Sequence, residues 1–530
     1  MRLSDFDLAQ LDEQTVTGLP GAQKDVLLVK LLSDLKEARD RLKADSRTSS
    51  RPPSSDNPWS GSSSDTPEDT PEDTPAPETQ SEAESSPGEK SSEQSPQDEP
   101  DDAHKPSARS NNDSNRAGRR PGATGHSREL TLPVSETIYH RPPQCSRCNE
   151  ALEADKFIAC TGHYVLDIEP GEVEGLRGLQ VRHDKHVYGE IACEKCGHRT
   201  RSEPGRCPDE DLWKVGLSEW HLVGVTLSSL IVCLSQRMGL SRRRIQEFLL
   251  DWLGIKLSTA LIDQCIREMG RAVHPLEELL VEEIQETVLA HVDETPWKEW
   301  GQLLWMWVFS TTHLCVYFIG YRSAEILQNV LGERFTGWLM SDGYQVYRQF
   351  QHRLRCWAHL LRKAQGLEDS LNAEARGFGQ YTHQLFDELM AAIYAARAGP
   401  GGEDLSERYR QRLDVFRALC ERHRDSRHAK TRALAREFLN DWEAIWVVLK
   451  HPYLPLTNNE AERALRHWVI IRRLMQGTRT PEGTRVVALL ASVIETCRRR
   501  QALPWPYLAS VLAERRKGNP VPPLPAVPAG

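Results

Sequence analysis

The sequence predicts a multidomain α/β protein. Three observations predict it. An acidic, low-complexity stretch divides the N-terminus from the rest. Two CxxC pairs bracket a segment with strand character. Helical periodicity gives way to four strand-like runs near residue 286 and returns after residue 362. At 530 residues the chain has room for roughly three or four domains and a sizeable core.

Residues 1–44 carry a leucine pattern, with Leu28, Leu35 and Leu42 seven apart and Leu31 and Ala38 between them. This suits either a short coiled coil or an amphipathic helix packed on its own protein. The N-terminus, MRLSDFDLAQLDEQ, has no apolar signal core, so no secretion signal and a cytoplasmic protein are expected. Residues 45–130 are rich in Ser, Pro, Asp and Glu and repeat TPEDTPEDTP. Too little apolar area is present to offset ordering entropy, so a disordered linker is expected. Between Pro52 and Asp102 fifteen acidic residues face one basic residue, a net of −14 against −9 for the chain, leaving +5 elsewhere. From Arg463 to Lys517 twelve Lys/Arg face three Glu. That excess suits a polyanionic partner or a solvated helix face.

Residues 131–210 hold Cys145-Ser-Arg-Cys148 and Cys193-Glu-Lys-Cys196, with HYVLDIE and LQVRHDKHVYGEIA between them. Two knuckles joined by strands match a zinc-ribbon-like domain in which four thiolates hold a structural Zn²⁺. Cys160, His163, His198 and Cys207 are substitute ligands, and a metal-free pair of hairpins is the plain alternative. Residues 211–285 read as helices. Gly254 marks a turn and Ser258 an N-cap, the spacing of a helix-turn-helix or of a simple helical hairpin.

In residues 286–510 the runs ETVLAHVDETPWK, LLWMWVFS, LCVYFIGY and GWLMSDGY read as strands, with a helix near Ala324–Leu331 before the last. The most apolar window, Leu303–Gly320, is broken by Ser310, Thr311, Thr312 and His313, so no membrane span is expected. The β-β-β-α-β order is how an RNase H-like domain begins, a mixed sheet flanked by helices. A helical insertion is expected at about 362–452 and a tail at 511–530.

Asp293 sits where a strand ends, Asp342 closes the fourth strand before Gly343, and Glu462 lies in the first turn of a helix capped by Asn458 or Asn459. Two aspartates and a glutamate brought together suit two divalent cations and phosphoryl-transfer chemistry. Glu294 and Glu460 are the rival carboxylates. On a helix Glu460 and Glu462 point about 200° apart, so only one faces the aspartates. Each carboxylate also has a plain role open to it, as a turn residue or as half of an i,i+4 pair such as Glu462 with Arg466.

The strings HVDETPWK, LMSDGYQVY, RCWAHLLRK and LTNNEAERALR resemble the insertion-sequence-66 family of DDE transposases, over roughly residues 120–510. The resemblance implies an RNase H-like core with Asp293, Asp342 and Glu462 as catalytic triad and ligands of two Mg²⁺ or Mn²⁺ ions. It further implies a zinc-binding domain and DNA transposition, with element ends and target DNA as partners, a homo-oligomer and accessory proteins of the element. Arg362, Lys363, Arg463, Arg466, Arg472 and Arg473 are the expected phosphate contacts. A non-catalytic DNA-binding derivative and an RNase H-like structure-specific nuclease remain the other readings. Cys356-Trp-Ala-His359 reads as packing beside the site.

Overall fold

The computed structural model describes residues 27–28, 31–32, 35, 132–173, 176–209, 213–332, 335–370, 372–399 and 404–528. The five described N-terminal residues are helical, with Leu28, Leu32 and Leu35 exposed. The rest of the leucine pattern and the acidic linker expected at 45–130 lie outside the described residues.

The first sheet is built on a long hairpin. Strands β1 (Glu136–His140), β2 (Ile158–Val173), β3 (Leu176–Ala192) and β4 (Arg199–Arg201) pair in the order β1-β3-β2, with β4 also on β3. β1 runs parallel to β3, and β2 and β4 run antiparallel to it. Leu166 and Ile168 of β2 are buried two residues apart, the period of a strand with one covered face. Asp167 accepts hydrogen bonds from its neighbour's N–H and from Leu227 N at 2.7 Å, tying the hairpin to the first helix.

Helices α1 (Val225–Val232), α2 (Arg242–Leu253), α3 (Thr259–Val273) and α4 (Leu276–Gln285) follow. The capping expectation holds. Ser258 accepts from Leu261 N at 3.2 Å, Ser241 accepts from Arg244 N at 3.3 Å, and Gly254 ends α2 with φ +66°. In a helix-turn-helix the helix after the turn, here α3, would meet DNA, but α3 is largely covered. Nine of its fifteen residues are buried, and it packs on α12 (Pro481–Arg499) and α13 (Pro504–Lys517).

The second sheet contains β5 (Leu289–Glu299), β6 (Gln302–Ser310), β7 (Cys315–Gly320), β8 (Trp338–Ser341) and β9 (Arg353–Arg355), in the order β7-β6-β5-β8-β9. The first three strands form an antiparallel meander; β8 pairs parallel with β5 and β9 parallel with β8. Helix α5 (Ala324–Leu331) supplies the crossover to β8. The sequence predicts β5 to β8 and this helix, but not the three-residue edge strand β9. Five helices then leave the sheet: α6 (Trp357–Glu368), α7 (Ala373–Ala398), α8 (Ser406–His423), α9 (Ala429–Asn440) and α10 (Trp442–Lys450). They close over their own aromatic core of Trp357, Phe386, Phe416, Phe438 and Trp446. α11 (Asn459–Met475) then returns to the sheet, burying Ala461, Leu465 and Trp468 against Trp297, Met306 and Tyr317.

The boundary expected at residue 510 needs correction. Residues 511–517 continue α13, Val511 and Leu512 are fully buried, and Arg516 makes a bidentate pair with buried Glu268 at 2.7 and 2.8 Å. The sequence hides this because the basic run ERRK looks solvated. Among the described residues no helix is long and apolar enough to cross a membrane.

Candidate functional site

Strand register brings the two aspartates together. β5 and β8 run parallel, with His291 opposite Met340. Asp293 and Asp342 each lie two residues further on, just past this parallel pairing. Asp342 follows the end of β8, but Asp293 does not sit where a strand ends: β5 runs on to Glu299 because its pairing with β6 continues beyond β8. Asn458 places the third carboxylate. It is the N-cap residue of α11, as the sequence expects, although its side chain makes no capping hydrogen bond. It is fully buried, donates to Val292 O at 2.7 Å and meets His291 Nδ1 at 3.1 Å. The first turn of α11 is thereby fixed beside Asp293, with Glu462 facing inward.

A cleft of about 450 Å³ is lined by residues that include Asp293, Glu294, His359, Glu462, Arg463 and Arg466, and Asp342 acts on Asp293 through its charge. Its charge is poorly compensated. Burial, then the charges of Glu294, Asp342 and Glu462, hold the Asp293 carboxyl well above the usual range. Burial and Asp342 push Glu294 up to about 7, although Arg322 and Tyr347 oppose this. Glu462 Oε1 is buried without a hydrogen-bond partner, 3.6 Å from Arg362 Nη2 and 3.8 Å from His359 Nδ1. Burial and the cations Arg362 and Lys363 hold His359 down to about 4, so its imidazole is neutral.

The two rival glutamates are both committed elsewhere. Glu460 pairs with Arg463 at 2.5 Å and with Arg499 at 3.2 Å. Glu294 lines the cleft, but Arg322 Nη2 holds it at 2.7 Å and Tyr347 Oη donates to it. Arg322 is itself stacked on Trp305 and Tyr344, with its guanidinium carbon 4.4 and 3.9 Å from the ring centroids. Arg322, Tyr347 and the site-facing role of His359 were not anticipated. Tyr347 and His359 lie within the strings that carry the resemblance, whereas no sequence signal marks Arg322.

The expected phosphate contacts separate into groups. Arg463 and Arg466 are exposed on the cleft rim. Arg362 faces Glu462. Lys363 is spent on Glu437 at 2.7 Å. Arg472 ties α11 to β5 through Thr295 Oγ1 at 2.6 Å and Pro296 O at 2.7 Å. Arg473 lines a different cavity.

The four knuckle cysteines are gathered as the spacing predicts. Cys145 Sγ lies 3.6 Å from Cys196 Sγ, Cys148 Sγ lies 3.6 Å from Cys193 Sγ, and the four sulfurs all lie within 4.8 Å of one another. Tetrahedral Zn–S bonds of about 2.3 Å put the sulfurs ~3.8 Å apart, so the cluster fits zinc. Asn149 and Gly197, both at positive φ, let their N–H groups return to the Cys145 and Cys193 carbonyls at 2.9 and 2.8 Å. Burial raises the Cys145 thiol, but the N–H groups of Cys148 and Arg147 outweigh it and bring it down to about 6, while at Cys148 the Glu150 N–H is outweighed by the adjoining sulfurs and burial, which push that thiol up to about 12. The substitute ligands do not join the cluster. His198 hydrogen-bonds Ser146 Oγ at 2.9 Å, Cys160 Sγ donates to Ile158 O, and His163 stacks on His186 and Tyr188.

Two curated relatives from Sinorhizobium fredii are similar in sequence. The uncharacterized protein y4qI is 24% identical over 304 residues, covering 50% of this chain and 55% of its own length. The uncharacterized protein y4hP is 40% identical over 75 residues, 14% of each chain. The chain thus spans about half the length of the first relative and a small part of the second. A family model described as the Transposase IS66 family matches residues 221–486, from the helices before the second sheet through α11 and into α12. That match covers the cleft and half the chain: the protein belongs to the IS66 transposase family.

Proposed function

We propose that the cleft is a two-metal phosphoryl-transfer site and that the chain is a DDE transposase acting at the ends of an insertion sequence. One observation carries the reading. Asp293 of β5 and Glu462 of α11 line one cleft, Asp342 just past β8 adds its charge to theirs, and too few cations balance them. The strand order 3-2-1-4-5, with two parallel strands added to an antiparallel meander, supports an RNase H-like core. Hard carboxylate oxygens and the unpartnered Oε1 of Glu462 suit Mg²⁺ or Mn²⁺. Asp293, Asp342 and Glu462 would hold the ions, which supply an activated oxygen nucleophile and a stabilised leaving oxygen.

The remaining work falls to the chain. Arg463 and Arg466 on the rim hold phosphates of the bound strand. Asn458 and Arg472 keep α11 against β5, so the acids stay in place. Water attacks one phosphodiester and frees a 3′-hydroxyl, and that hydroxyl attacks target DNA in line. Element ends and target are the DNA partners, with a homo-oligomer holding both ends and accessory proteins of the element assisting. The Cys145/Cys148/Cys193/Cys196 cluster would hold one structural Zn²⁺.

The test uses the full chain, element-end duplex and Mg²⁺. Cut and joined products are expected, with none from Asp293→Asn, Asp342→Asn or Glu462→Gln. If all three variants cut like the parent, the triad assignment is wrong. Cutting with no joined product under any metal would make the protein a nuclease instead.

A further inference from the structure

A cavity of about 720 Å³ lies where the start of α2, the end of α11 and the start of α12 meet. Five arginines line it: Arg242, Arg244, Arg267, Arg473 and Arg479. Two acids answer them. Asp263 takes Arg242 at 3.1 Å and Arg267 at 2.8 Å, and Glu482 takes Arg267 at 2.9 Å. Arg244 and Arg479 are exposed and their side chains meet no carboxylate among the described residues. Arg473 Nη2 is buried with no hydrogen-bond partner. A guanidinium withdrawn from water without an acceptor is costly, and an incoming anion relieves that cost.

The backbone adds to the field. The N-termini of α2 and α12, helices of 12 and 19 residues, both open at this cavity, and helix N-termini favour anions. The cavity is also tied to the carboxylate strand. Gly477 has φ +87°, and a Cβ there would meet Lys298 O at 2.0 Å, so the loop lies hard against the end of β5. Thr478 N donates to Lys298 O and Trp300 N to Thr478 O, each at 2.8 Å. The loop bearing Arg479 is therefore fixed to the strand that carries Asp293. On α11, Arg473 lies eleven residues beyond Glu462, ~16 Å along the axis, a span of about five base-pair steps.

We propose that this arginine-lined cavity is a phosphate-binding site that grips the DNA backbone, independently of sequence, about five base pairs from the carboxylate cleft. The inference rests on the transposase reading for its ligand but not on the chemistry of the cleft. Guanidinium forks suit phosphate oxygens in pairs.

The test is fluorescence anisotropy of a labelled duplex of about 30 base pairs with the full chain in buffer without added Mg²⁺ or Mn²⁺, over a range of salt. The double variant Arg244→Gln/Arg479→Gln removes two exposed side chains that meet no carboxylate. Binding should weaken for every duplex sequence. The slope of log K against log salt should become shallower by about 1.8, or ~0.9 for each phosphate no longer neutralised. Arg473→Gln alone should give about half that change. An unchanged slope in the double variant, with the parent binding normally, overturns the proposal. So does a loss confined to inorganic phosphate, followed by calorimetry, which would make the cavity a small-anion site. A parent that binds no duplex at any salt overturns both this site and the transposase reading. A parent that binds but does not cut leaves this site standing and removes only the catalytic reading.

Discussion

Asp293 and Glu294 in the middle of β5 and Asp441 beside β9 are all withdrawn from water, yet burial has opposite outcomes for them. At Asp441 burial raises the carboxyl, but Arg355, Arg353 and Arg348 outweigh it and hold it below its usual range. The arginines lie 2.9–3.5 Å away, and both Arg355 and Asp441 are fully buried. At Asp293 and Glu294 the close charges include other acids, and both carboxyls are raised. A buried acid with its cations built in needs nothing further and serves the fold. Buried acids crowded together without enough cations are unstable as ions until cations arrive from outside, and such groups mark functional sites.

The largest test of this contrast is Asp293→Asn. Cleavage should fall at least ~10⁴-fold, about 5.5 kcal/mol of barrier, while metal-free stability at pH ~7.5 stays level or rises because a repelled charge is gone. Next comes Asp441→Asn. It strands buried Arg355 and should cost about 3–5 kcal/mol of stability, read as a lowered urea midpoint by tryptophan fluorescence. If Asp293→Asn destabilises as much as Asp441→Asn, the contrast is wrong.

The same contrast predicts opposite pH dependence. Glu294 keeps its proton up to about 7 when folded, against 4.5 ordinarily. Its contribution to stability is full at low pH and falls as pH rises from 4.5 to about 7, by at most ~3 kcal/mol. Asp441 contributes above its ordinary 3.8 and loses that as pH falls through its lower folded value. Metal-free urea midpoints should drop between about pH 5 and pH 7.5, and Glu294→Gln should flatten the drop. A flat parent profile would remove the claim that the cleft acids are uncompensated.

The sequence marked one of these regions and not the other. Asp293 and Asp342 were legible because each follows an apolar run that reads as a strand, and Glu462 because it opens a helix in a distinctive string. The Asp441 network was invisible: its arginines lie 86 to 93 residues away (Arg355 to Arg348), and only the fold of the helical insertion joins them. Glu460 and Glu462 were indistinguishable until Arg499 of α12 was seen to take Glu460. The coverage of α3 was hidden likewise, since Gly270 meets Val486 from a helix over 200 residues on. Local period and capping chemistry are written in neighbouring residues, whereas pairing across the core is not.

The smallest prediction concerns the one cation seen to bond Glu294 among the described residues. Arg322 is sandwiched near Trp305 and Tyr344 as it does so. Its charge pulls the Glu294 carboxyl down against burial and Asp342. Arg322→Gln removes that pull, so the midpoint of the metal-free pH dependence should move above about 7, by about one unit or ~1.4 kcal/mol. Arg322→Lys keeps the charge but loses the planar stacking, and should move the midpoint less. The ordering parent, Lys, Gln follows only if Arg322 acts as a local counter-charge. A midpoint that shifts equally in both variants would mean that the rings, rather than the charge, position Glu294, and that the cleft holds even less built-in compensation than its geometry suggests.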